Sequence, residues 1–303
     1  MNFRTLNGLR DTQVIVKELG LYGGGIDGAW GQGTASAVLS LLRSYAELVK
    51  LSLPNPLPTK SVNDGKDVVT AMQSEMLKLG LYKATVDGIW GSGTWGGLLT
   101  AYGVYVSKHR TPSYGPAWSA HKKINAAFVQ RVITWCTQRG LPAAAASWLL
   151  ACMHFESGGT FDPKKQNNGG SKYFGLIQFG SLAAKDLSQF YNENITVDKL
   201  VAMTQMEQLE YVFKYFEMWM KRGKKFTQLE DFYLCILYPV AVGKKADEVI
   251  WTRDSPVKEI ALSYKQNNGF DKGNTGVITV GMICATIYNT YYSGMDTVNR
   301  TIH

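Results

Sequence analysis

The sequence predicts a mostly α-helical protein in three parts: two copies of one very small helical unit, then a larger, largely helical remainder. Three observations carry this reading. Residues 19–34 (LGLYGGGIDGAWGQGT) and 79–94 (LGLYKATVDGIWGSGT) match at ten of sixteen positions at an offset of sixty residues, which marks an internal duplication. Proline-rich runs interrupt the chain at 53–59 (LPNPLPT) and 111–116 (TPSYGP), as linkers do. The remainder shows helical periodicity over 125–139, 142–156, 203–221 and 229–237, with 174–179 as its chief strand signal.

In chain order, the first unit spans 1–52, a linker 53–63, the second unit 64–108, a linker 109–118 and the remainder 119–303. In each repeat Leu19 or Leu79 ends an apolar helical pattern. Gly20 or Gly80 then falls where a helix C-terminus takes a left-handed residue. Asp27-Gly28 and Asp87-Gly88 are turn dipeptides. Thr34 and Thr94 stand where an N-cap opens the next helix, over 35–49 or 95–106. Tyr22, Trp30, Tyr82 and Trp90 have two readings, as core anchors of a minimal domain or as contacts to a ligand.

The net charge is +8; eleven basic and eight acidic residues lie up to Arg110, and the remainder carries the other +5. A positive surface spread over both parts steers toward anionic polymers. The densest basic run, residues 221–225, is short and reads as a solvated helix end, so nucleic acid is not an expected partner. The amino-terminal MNFRTLNGLRD lacks the apolar core of an export signal. The uncharged stretch 140–155 is too short to span a bilayer. Cys136, Cys152, Cys235 and Cys284 lack C-x-x-C pairing and read as buried thiols. His109, His121, His154 and His303 form no H-E-x-x-H, so no metal site or cofactor is expected. Cys152 and His154, two apart on a helix, point to different faces and form no dyad.

Both repeats resemble the peptidoglycan-binding module of bacterial and phage cell-wall enzymes, with its pattern L-x-x-L-G-x-Y-x-G-x-x-D-G-x-x-G-x-x-T. The second departs from it where Ala84 replaces the residue equivalent to Gly24. The resemblance covers the first third of the chain. It implies three-helix domains and a wall-binding groove beside the Asp-Gly turn, with Tyr22, Asp27, Trp30, Tyr82, Asp87 and Trp90 as the wall-binding residues.

Chemistry concentrates around Glu156. An apolar helix runs into it, and Ser157-Gly158-Gly159 ends that helix. Desolvation and the negative helix terminus both disfavour ionisation of such a carboxylate, and an acid that keeps its proton can protonate a glycosidic leaving oxygen. From spacing alone, a glutamate that merely fills the last turn and reaches solvent is an equal reading.

Glu156-Ser157 followed by Gly175-Leu176-Ile177-Gln178 resembles the E-S and G-L-M-Q pair of the lysozyme-like superfamily of soluble lytic transglycosylases and goose-type lysozymes. That resemblance implies a lysozyme-like α+β domain, with Glu156 as the catalytic acid, Ser157 as its hydrogen-bonding neighbour and Gln178 as a sugar contact. Tyr238 falls where the family's A-Y-N-A-G tyrosine stands, with Pro239 in place of the asparagine. Tyr264 and Asn267, in SYKQNNG, are further substrate-binding candidates. The loop from Asp271 resembles an EF-hand only in part, with Gly273 at its third position and Met282 at its twelfth, and no calcium is expected there.

No motif places a second carboxylate; Asp162 and Asp186 are the candidates that follow Glu156. The family's transglycosylase chemistry dispenses with one, because the substrate's own groups attack and the single glutamate serves as acid and then base. It is favoured over the water-using muramidase. Together the resemblances imply a modular phage endolysin. It would bind bacterial peptidoglycan, and its charge suits an anionic outer-membrane surface as well. It would act as a monomer and wait in the host cytoplasm until lysis. A virion-associated wall-degrading protein and a non-catalytic wall-binding protein are the alternatives.

Overall fold

A computed structural model describes residues 3–60, 62–167 and 172–303. Twelve α-helices, four short 3-10 turns and one two-stranded sheet make up their regular structure, so the chain is mostly helical. No helix among the described residues is long and apolar enough to cross a membrane. The chain divides into two units, one of Met1–Gly115 with Asp296–His303, the other of Pro116–Met295.

The first unit contains α1 (Phe3–Glu18), α2 (Gln32–Val49), α3 (Lys66–Lys78) and α4 (Ser92–Lys108), a helix pair from each repeat. Gly20 and Gly80 take the left-handed conformation, with φ of 73° and 71°. The following amides reach back, Leu21 N to Val16 O at 2.9 Å and Leu81 N to Met76 O at 2.8 Å. Carbonyls that would otherwise be orphaned at the helix ends are thereby satisfied.

The repeats do not form two separate three-helix domains. Each supplies two α-helices, and both feed a single apolar cluster that includes Leu9, Val16, Leu41, Met72, Met76 and Leu98. The Trp90 indole of the second repeat packs on Gly8 of α1 in the first. Two short helices cannot bury enough apolar surface alone, and pairing the repeats solves this. The expected linker 53–63 is likewise part of the packing: Leu57 is buried, Asn55 N donates to Glu75 Oε2 at 3.1 Å, and Pro58 O accepts from Trp30 Nε1 at 2.6 Å.

Residues 296–303, expected within the larger domain, close the first unit instead. Thr301 O accepts from Gly115 N at 2.8 Å, and Tyr114 pairs with Ile302, so the expected linker 109–118 is in part a bridge partner. Arg300 donates through Nε to Gly115 O at 2.6 Å and pairs with Glu18. Asp296 pairs with Lys17 at 2.8 Å.

The second unit contains α5 (Ala126–Gln138), α6 (Ala145–Glu156), α7 (Ser181–Tyr191), α8 (Val197–Ala202), α9 (Gln205–Lys221), α10 (Leu229–Leu237), α11 (Lys258–Gln266) and α12 (Val280–Met295). Its strands β1 (Val249–Thr252) and β2 (Val277–Thr279) pair antiparallel, with Trp251 opposite Ile278. Helix α6 lies at the centre, packed against α5, α10 and α12, with Leu149, Leu150, Cys152 and Met153 buried. Its beginning is later than the periodicity suggests, because the residues after Pro142 form a turn. Residues 174–179 are a tight turn rather than a strand, with Phe174 bridged to Gln166 on one side and to Phe179 on the other. The four cysteines are free and buried.

Candidate active site

Glu156 is the last residue of α6. The helix stops behind it because Gly158 and Gly159 take φ of 60° and 76°, and Gly159 N returns to His154 O at 2.7 Å. The Glu156 carboxyl is half-buried and has no hydrogen-bond partner among the described residues. Burial pushes its pKa up to about 8, since a carboxylate removed from water without compensating donors is costly. At neutral pH this group holds its proton.

Tyr233 of α10 is the neighbour that the sequence did not single out. It is buried, with its ring edge-on to Phe155 at 5.5 Å. Burial and the nearby Glu156 charge both raise its pKa, and its hydroxyl has no hydrogen bond among the described residues. An unspent carboxyl and an unspent phenol therefore share one locality. Tyr233 was illegible in the sequence because it lies in the apolar run FYLCIL, where an aromatic reads as core.

Ser157 does not serve as a substrate contact. It is fully buried, donates to Met153 O at 2.7 Å and accepts from Phe161 N at 2.9 Å. Its hydroxyl fastens the loop after Glu156 to the helix end.

The G-L-I-Q turn is fixed to that same loop. Gln208 of α9, buried, accepts from Leu176 N at 2.8 Å and donates to Pro163 O at 3.1 Å and Leu200 O at 2.8 Å. Gly175 has φ 86°, and a Cβ there would overlap the Gln208 carboxamide. This is why the motif opens on glycine. Gln178 itself takes φ 56° and donates through Nε2 to Lys165 O and Gly175 O, each at 3.1 Å. Gln178 and Tyr238 line one cavity, so the structure brings these two sequence candidates together.

Tyr264 and Asn267 are engaged elsewhere. The Tyr264 hydroxyl donates to Asp271 Oδ2 at 2.7 Å and accepts from Arg253 at 3.1 Å, and the ring is buried. Asn267 Nδ2 donates to Ser263 O at 2.9 Å at the end of α11. Burial of Asp271 would raise its pKa, but hydrogen bonds from Thr275, Tyr264 and Gly276 outweigh this and hold it down at about 2. These residues knit the loop before β2 and offer little to a substrate.

In the repeats, two buried glutamines of α1 and α3 organise the turns. Gln13 Nε2 donates to Asp27 Oδ1 at 2.9 Å and to Ala29 O at 3.0 Å, and Gln13 Oε1 accepts from Gly28 N at 2.8 Å. Gln73 repeats the pattern with Asp87 at 3.0 Å, Ile89 O at 3.0 Å and Gly88 N at 2.9 Å. The hydroxyls of Tyr22, Tyr82, Thr34 and Thr94 join the same networks. Thr34 and Thr94 are thus buried acceptors rather than N-caps, and Gly31 and Gly91 occupy the N-cap positions.

Trp30, Tyr82 and Trp90 are buried, so the core reading holds for them, and they do not present a surface to a ligand. Asp27 and Asp87 stay exposed and Tyr22 half-buried. The glutamines were missed because each lies ahead of its repeated segment, where no motif marks it.

No protein-family model matches the chain, and a search of curated proteins finds no match.

Proposed function

We propose that this chain binds bacterial peptidoglycan and cuts its glycan strands at the β-1,4 bond between N-acetylmuramic acid and N-acetylglucosamine, acting as a phage endolysin. The observation that carries the reading is the Glu156 carboxyl, half-buried at a helix end, without donors, and raised to about 8. A proton kept to that pH is available to a glycosidic leaving oxygen. The order of E-S and G-L-I-Q along the chain supports it, as does the tie between the two loops through Gln178 and Lys165.

Transglycosylase chemistry is the favoured course after protonation. Asp162 is exposed and caps its own turn, accepting from Lys164 N at 2.9 Å. Asp186 pairs with Arg222 at 3.4 Å. Neither is held toward Glu156 by a hydrogen bond. The substrate's C6 hydroxyl would then attack, and Glu156, having given up its proton, would take one back.

The test is digestion of purified peptidoglycan by the whole chain and by Glu156→Gln, read by mass spectrometry. Muropeptides ending in 1,6-anhydro-N-acetylmuramic acid, lost in the variant, are expected. Products ending only in reducible muramic acid would replace the transglycosylase with a muramidase. Cleavage by Glu156→Gln at more than about a tenth of the native rate would sink the assignment, because general acid catalysis is worth about a hundredfold or more.

A further inference from the structure

His121 and His154 take no part in the chemistry above, yet they lie in a pile of four rings against the loop that follows Glu156. The His154 ring stacks on Trp118, with centroids 3.7 Å apart and an interplanar angle of 8°. His121 meets His154 edge-on at 5.3 Å and Trp118 edge-on at 5.9 Å. Phe161 closes the pile, 5.3 Å from His121 and 5.8 Å from His154. The pile touches the Glu156 loop directly: a Cβ on Gly159 would lie 3.2 Å from His154 Nε2, and Phe161 N donates to Ser157 Oγ.

Its backbone is strained. Trp118 and Phe161 take φ of 62° and 48°, a left-handed conformation that side chains of this size keep only where their surroundings impose it. The turn after Trp118 also depends on a neutral imidazole, because His121 Nδ1 accepts from Lys123 N at 3.3 Å. A protonated Nδ1 has no lone pair with which to accept.

The charges around the rings are one-sided. No ion pair or hydrogen bond joins either histidine to a carboxylate among the described residues. The turn brings Lys122 and Lys123, α12 packs Tyr291 against Trp118, and α9 contributes the neutral Gln205, which donates to Lys123 O and Phe161 O. Glu156, on the helix that carries His154, keeps its proton below about pH 8 and offers no countercharge. A lone imidazolium over an indole gains from the ring face. Here burial, and then the facing His121, outweigh that gain and hold the His154 pKa down at about 4. Burial, and then Lys122 and Lys123, lower that of His121.

We propose that Trp118, His154, His121 and Phe161 form an acid-sensitive latch, which holds the loop after Glu156 while both imidazoles are neutral and opens when they are protonated. Two imidazolium rings face to edge, beside two lysines, repel one another, and opening lets Trp118 and Phe161 return to relaxed backbone. The closed form binds fewer protons than the open form between about pH 6.5 and 4, so the latch is intact above that window and weakens as pH falls through it. His154 alone makes the closed-to-open ratio about twentyfold lower at pH 5 than at pH 7. The latch thereby sets an acid limit that Glu156 cannot set, since Glu156 only gains protonation on the acid side. The latch itself stands without the glycan-cleaving reading; its effect on rate rests on that reading.

The test is amide hydrogen exchange of the full chain, read by mass spectrometry at residues 116–124 and 157–162 as protection relative to unstructured peptide. Protection of both segments is expected to fall by about tenfold or more between pH 7 and pH 5 and to return on neutralisation, with α9 unchanged. His154→Phe keeps a ring on Trp118 that cannot be charged, so its protection at pH 5 should stay within about twofold of that at pH 7. His121→Phe leaves one titrating ring and should show a smaller acid loss than the native chain. An unaltered urea transition at neutral pH shows that each variant folds, and should His154→Phe fail this, His121→Phe carries the comparison.

Equal protection at the two pH values in the native chain overturns the latch. So does an acid loss that the folded variants retain in full, since the titrating group would then lie elsewhere. Cleavage of purified peptidoglycan should fall with the protection in acid and persist in His154→Phe. Acid loss of protection in a chain that cuts no glycan would leave the latch standing and remove the proposed function, whereas acid loss of cleavage with protection intact would remove the latch and leave the function.

Discussion

Replacing Glu156 by glutamine should do two opposite things, and their pH dependence separates a buried acid from an ordinary surface glutamate. The carboxyl pKa rises from 4.5 to about 8 on folding. The folded state therefore binds more protons than the unfolded chain between those values, and stability falls as pH rises through that window. The stability is fully present below about pH 4.5, declines up to about pH 8 and is level beyond.

At about 1.4 kcal/mol per pKa unit, the shift of Glu156 corresponds to at most about 5 kcal/mol. Its solvent-facing edge lowers that figure. Glutamine keeps the shape and cannot ionise. Glu156→Gln should thus match the native chain in stability near pH 4.5, exceed it by several kcal/mol at pH 9, and lose wall-cleaving activity by about a hundredfold or more below about pH 8, where the native acid holds its proton. Urea unfolding at the two pH values, with a turbidity assay on purified walls, measures both. A stability difference that does not change with pH would refute the reasoning, because it would mean that Glu156 is already ionised at neutrality.

Three further outcomes are expected. Gln73→Ala should cost about 3 kcal/mol or more, since it strips the buried partners of Asp87, Gly88 and Ile89. The first unit should still unfold in one urea transition, and a second transition would contradict the shared core. Gly175→Ala should destabilise by about 2 kcal/mol or more and depress cleavage, because the new Cβ meets Gln208 at φ 86°; an unchanged melting temperature would rule this out. Arg300→Ala should lower stability by about 3 kcal/mol by stranding the partly buried Glu18, and a change within about 0.5 kcal/mol in urea would show that residues 296–303 do not close the first unit.

Local signals were legible without coordinates. The glycine stops at Gly20 and Gly80, the span of α10 and the helix end at Glu156 all depend on residues within a few positions. Short-range sterics and capping decide such features. Helices α7, α8, α11 and α12 and the β1–β2 pair carried weaker local patterns and emerged only in the fold.

What the sequence alone determined was a helical chain with an internal duplication, four buried thiols and one carboxylate ending an apolar helix. Only the tertiary structure decided that the repeats share a core, that Trp30 and Trp90 lie inside it, and that residues 296–303 return to it. It alone set Tyr233 beside Glu156, spent Ser157 and Tyr264 on internal hydrogen bonds, and gathered Gln178, Asp186, Trp219 and Tyr238 around one cavity. The physical reason is common to all of these. Burial and the pairing of polar groups depend on which distant segments exclude water from one another, and spacing along the chain does not encode that.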